Sequence, residues 1–180
     1  MTTAEPNPQL RAYASLAREY RDLIERAVAM GEAGYTNWQM PPSGAAVPGG
    51  LLGRDTFYNR CLDLLPRLYA DSRALPDSDD DTEISLEKEE CPMKPLAALL
   101  GDDDAYQSVF DPHDREPACE RYMSMDLAEI YEDIAYGLER FDARHFAQAE
   151  WEWRFGMQTH TGWHILQVLP ALHGLAERLG

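Results

Sequence analysis

The sequence predicts an all-α fold: an up-and-down bundle of five to seven helices around a central antiparallel helical hairpin, within a single domain spanning 1–180. Three observations predict it. Apolar residues recur at spacings of three and four along every strongly periodic stretch. No run of strand length alternates apolar with polar residues. Between residues 124 and 169, two long apolar-faced segments are joined by so few residues that the second must return antiparallel to the first.

The first helix spans residues 9 to 30. Tyr13, Leu16, Ala17, Tyr20, Leu23, Ile24 and Ala27 form its inner face, Pro8 suits its first turn, and Gly31 and Gly34 are its stops. From Tyr35 to Gly53, proline and glycine set the local geometry and no period survives. A second helix follows from Thr56 to Ser72, with Phe57, Cys61, Leu64, Leu65, Leu68 and Tyr69 inward and Pro66 expected to kink or split it. Residues 76–92 form an acidic stretch expected to be a mobile linker, since such runs bury too little apolar surface to offset their ordering entropy. Leu96 to Leu100 is a short helix ended by Gly101. Residues 102–124 read as an ordered loop carrying Tyr106, Val109 and Phe110. Ser124 is the expected cap of a helix running to Phe141. Asp142 caps the next, which continues until Pro170 interrupts it.

Composition narrows the function classes. With 16 Lys and Arg against 32 Asp and Glu, the chain carries a formal charge of −16, so it has little to offer nucleic acid or an anionic membrane. No apolar run reaches 18 residues, no signal peptide opens the chain, and Cys61, Cys91 and Cys119 form no CxxC pair. These features predict a cytoplasmic protein with reduced thiols. No GxSxG, GxxxxGK or HExxH motif occurs, so no residue is assigned a catalytic role.

One constellation carries chemistry. In AEWEWRFGMQTHTGWHILQVL, residues 149 to 169, His160 and His164 stand four apart, the spacing by which one helix offers two imidazoles to a metal. On the preceding helix, Asp126, Glu129 and Asp133 share a stripe whose like charges repel unless water, a base or a cation offsets them. The expected hairpin register brings His160 level with Asp126, Trp153 with Asp133 and His164 near Tyr122. Asp126, Glu129, His160 and His164 are therefore the candidate ligands of one divalent metal ion, and Trp153, Met157 and Tyr136 candidate walls of a small-molecule pocket. The competing account assigns Asp126 to the helix dipole, Glu129 and Asp133 to solvent, and both histidines to core hydrogen bonds. Glu150 and Arg154 have a local explanation as an i,i+4 ion pair.

VFDP at 109–112, DLAEIYEDIAYGL at 126–138 and AEWEWRFGMQTHTGWH at 149–164 resemble a family of small bacterial proteins known only as a domain of unknown function. The resemblance covers about residues 99–175, with a Glu116-Pro117 step between the first two motifs. It implies a helical bacterial protein and no activity. Where that family places a tryptophan directly after the first histidine, this chain has Thr161. Weaker likenesses, to three-histidine metal-binding bundles of damage-inducible type and to all-α nucleotide pyrophosphohydrolases, lack the matching spacing and the second acidic pair. The leading functional expectation is an interaction protein that binds a protein partner through the loops at 35–53 and 102–123, with Trp38, Tyr106 and Phe110. The alternative is a metal-dependent hydrolytic bundle using the carboxylate–histidine set.

Overall fold

The computed structural model describes residues 5–42, 46–47, 49–76, 90–109, 113 and 117–179. Most of the acidic stretch, and Phe110 with it, lies outside the described residues. Those residues form six α-helices, one 3₁₀ turn and a two-stranded antiparallel sheet. The all-α expectation is therefore corrected to a mainly helical fold with a small sheet. Its strands are four residues each, too short for an alternating pattern to stand out.

Helix α1, Pro8–Glu32, buries the predicted face. Asn7 caps it by accepting from the Leu10 N–H at 2.7 Å. Helix α2, Arg54–Ser72, runs unsplit through Pro66. Helix α3, Met93–Leu100, ends where Gly101 takes φ +58°. The loop after α1 then closes the open carbonyls of α3. Asn37 and Trp38, both at positive φ, donate their backbone N–H groups to Ala98 and Leu99 at 2.9 and 3.0 Å. This turns the Trp38 indole inward onto Phe57 and Tyr58, with its N–H bonded to the Tyr58 hydroxyl. Trp38 is thus a packing residue, a correction to its expected place on a contact surface.

After the 3₁₀ turn Gly101–Asp103, strand β1, Ala105–Ser108, pairs with β2, Cys119–Tyr122, and β2 leads straight into helix α4, Met123–Asp142. Ser124 therefore lies inside the first turn of α4. The cap is Asp104, whose carbonyl accepts from Met123 N–H at 2.8 Å. Its carboxylate accepts from the Ser124 N–H at 2.7 Å and the Ser124 hydroxyl at 2.9 Å. Asp104→Ala is expected to lower stability by about 1–2 kcal/mol, as for a lost N-cap, read as a shifted urea midpoint.

Helix α5, Phe146–Thr159, returns antiparallel along α4, and α6, Thr161–Leu179, packs on α2 and α4. The chain breaks at His160, with φ −143° and ψ −71°, and Pro170 sits inside α6 without interrupting it. This reverses the expected order, in which one helix ran on to the proline. Gly162 permits the break: a Cβ there would lie 2.2 Å from the Met157 carbonyl oxygen, so the start of α6 folds tightly over the end of α5.

Candidate functional site

Three elements converge on the histidine pair. Helix α4 presents Asp126, Glu129 and Asp133 on one stripe, as their spacing requires. The α5–α6 junction presents His160, and the first turn of α6 presents His164. The hairpin brings Tyr106 and Arg121, which are partners directly across the sheet.

Asp126 is fully buried, and His164 is almost so. The Asp126 carboxylate accepts from His164 Nδ1 at 2.7 Å, from Arg121 and from the Tyr106 hydroxyl. Burial alone would push this carboxyl up. The hydrogen bonds from His164, Arg121 and Tyr106 outweigh it and hold the group below the usual aspartate range, so it is a carboxylate. Burial and the same carboxylate push the Tyr106 phenol up, keeping it a donor. The Arg121 guanidinium lies over the Trp163 ring, 4.2 Å from its centroid.

The second histidine repeats the pattern in a wetter place. His160, with its side chain about half exposed, sets Nδ1 2.8 Å from Asp133, which also accepts from the Thr161 hydroxyl at 2.7 Å. The two Nε2 atoms then face each other at 3.2 Å. Glu129 approaches this point, its Oε2 3.9 Å from His160 Nε2. Among the described residues, no three His, Cys, Asp or Glu side chains close on one point as a finished ligand set.

The structure thus brings Asp126, Glu129, His160 and His164 together, but with a different pairing. His160 meets Asp133 and His164 meets Asp126, because helix α5 starts three residues later than expected and the break at His160 re-aims α6. The pocket residues separate. Trp153 is sealed between Tyr13 and Phe141 with its N–H on the Ile134 carbonyl, and Tyr136 lies under the Arg140 guanidinium. Met157 is buried and lines a different cavity of about 150 Å³ with Tyr69, Ser72, Arg73, Arg154 and Gln158. Glu150 accepts from Asn7, and Arg154 donates to the Leu75 carbonyl.

Sequence reasoning missed Arg121 as a site residue and gave Tyr106 a surface role. Fifteen residues separate them within a stretch read as a loop, and only strand pairing puts them side by side. The available signal was two short runs, AYQS and CERY, separated by a stretch containing Pro112 and Pro117.

The profile of the family described as Domain of unknown function (DUF5063) matches residues 52–177. The chain belongs to that family. The fold is similar to the crystal structure of protein BF1032 from Bacteroides fragilis, with a TM-score of 0.67 and 19% sequence identity over 94% of this chain and 92% of that one. No curated protein matches the sequence. No helix among the described residues is long and apolar enough to cross a membrane.

Proposed function

We propose that this member of the DUF5063 family is a metal-binding helical bundle protein in which His160 and His164 hold one divalent transition-metal ion through their Nε2 atoms. One observation carries the reading. Each Nδ1 is already engaged by a carboxylate, so each neutral ring turns an Nε2 lone pair toward the other. Two lone pairs at 3.2 Å repel unless a cation or a proton lies between them. Two nitrogens at metal distances of about 2.0–2.1 Å in a tetrahedral site stand roughly 3.3–3.4 Å apart, close to what is found.

Imidazole donors favour zinc, iron, cobalt or nickel over magnesium or calcium. With Glu129 as third donor, at least one position would face solvent, the open arrangement that lets a metal activate water. A hydrolytic role follows as the functional proposal. The three thiols are free, in keeping with a cytoplasmic setting in a bacterium.

A second reading, a protein-binding role without chemistry, draws on the stacked Trp151–Phe155 pair, 4.7 Å apart and 11° from parallel, with Phe155 about half exposed.

Elemental analysis of untagged protein separates the two. The expected result is one transition-metal ion per chain, absent from the His160→Ala/His164→Ala variant. Metal-free wild type whose melting temperature is unmoved by zinc, manganese or iron would overturn the metal reading.

A further inference from the structure

We infer that Tyr106 and Arg121, the cross-strand pair of the hairpin, are positioning residues that fix His164 in the form carrying its proton on Nδ1 and its lone pair on Nε2. Only the consequence for metal affinity rests on the metal reading; the assignment itself rests on the hydrogen bonds.

A carboxylate on an otherwise mobile side chain can rotate, hydrate and leave an imidazole free to exchange tautomers. Asp126 cannot. Its Oδ2 takes the Tyr106 hydroxyl, and its Oδ1 takes both Arg121 Nη2 and His164 Nδ1. Arg121 is held in turn by strand pairing with Tyr106, by a 3.4 Å contact from its Nε to the Tyr106 oxygen and by the face of Trp163. The indole also meets the His164 ring edge-on, with centroids 5.0 Å apart, limiting its swing. Every lone pair of Asp126 that could turn elsewhere is thereby occupied, and the one aimed at His164 requires a donor. His164 must give its Nδ1 proton to it, which leaves Nε2 as an acceptor toward His160.

The hairpin contributes nothing else to this point of the fold. His160 lacks such a clamp, since Asp133 is braced only by the Thr161 hydroxyl among the bonds described. The two histidines therefore differ in how firmly their tautomers are set, and His160 serves as an internal control.

Long-range proton–nitrogen correlation spectra of the nitrogen-labelled, metal-free full chain, at a pH where the imidazoles are neutral, read both tautomers directly. Wild type is expected to show His164 protonated at Nδ1. Tyr106→Phe, which removes one oxygen and keeps the packing, and Arg121→Gln are each expected to move part of the His164 signal toward the Nε2-protonated pattern. The double variant moves it further, and the His160 pattern stays unchanged. Zinc affinity should fall about tenfold or more in the double variant, the usual scale for losing outer-shell support. Arg121→Lys, keeping charge and one donor, should restore part of the tautomer signal. His164 protonated at Nε2 in wild type, or its pattern unmoved in the double variant, overturns the inference. If wild type binds no zinc while the tautomer responds as described, the metal reading fails and the positioning role stands.

Discussion

Asp126→Ala is expected to destabilise the protein by about 3–5 kcal/mol, the cost of breaking a buried ion pair by removing one partner. The substitution strands three donors at once. Arg121, only 12% exposed, keeps its charge without its carboxylate, and the Tyr106 hydroxyl and His164 Nδ1 lose their acceptor. Asp126→Asn, which retains one acceptor oxygen and the side-chain shape, should cost less, about 1–3 kcal/mol. Urea unfolding checks both. Acid gives an independent reading. The Asp126 carboxyl is held below its unfolded value in the folded state, so its contribution is complete above the ordinary aspartate range near pH ~4 and fades as pH falls through the lowered folded value. The stability gap between wild type and Asp126→Asn should therefore narrow in acid. A gap independent of pH would mean that ionised Asp126 contributes nothing.

Gly137→Ala is expected to destabilise, against the general rule that alanine improves a helix interior by about 0.5–1 kcal/mol. Gly137 lies within α4 under the indole of Trp153, and a Cβ there would stand 2.1 Å from Trp153 Nε1. The ring cannot retreat. Its N–H is bonded to the Ile134 carbonyl at 3.2 Å, and Tyr13 packs against it with ring centroids 4.8 Å apart. Overpacking of this kind costs about 1–3 kcal/mol beyond the lost helix gain. Combining Gly137→Ala with Trp153→Leu should cost less than the two single changes added together, because the smaller side chain removes the clash. Chemical denaturation of the four proteins of this cycle gives the coupling. Additivity would show that the two positions do not share one packing contact.

Much of this architecture was legible from period alone. The inner face of α1, the face of α2 and the acidic stripe of α4 all lie where spacings of three and four put them, because amphipathic helices record their partners in composition. The histidine pair and its carboxylates were found for the same reason. Their pairing was not. It depends on where a helix breaks, and at 160 the break falls on a histidine between Thr159 and Thr161. Pro66 and Pro170, the strongest breakers in the chain, each sit inside an unbroken helix. The signals near the true break, Gly156 and Gly162, are intelligible only once the close approach of Gly162 to Met157 is seen. The hairpin was illegible because its strands are short and mostly exposed. The roles of Tyr106 and Arg121 come from pairing across a sheet, which no local pattern encodes.

The hairpin's exposure has a consequence for how the protein breathes. Its strands show only one or two partly buried residues each, whereas α4 is buried along most of its length. Elements with so little buried surface detach at far lower free energy than the core and exchange their amide hydrogens without global unfolding. The support for the most deeply buried carboxylate at the histidine pair thus comes from the least anchored part of the chain. Amides of 105–108 and 119–122 exchange through sub-global opening, while those in the middle of α4 wait for the whole bundle to unfold. In the interval, Asp126 meets water with its helix intact, so His164 loses its fixed partner many times for each time the protein unfolds.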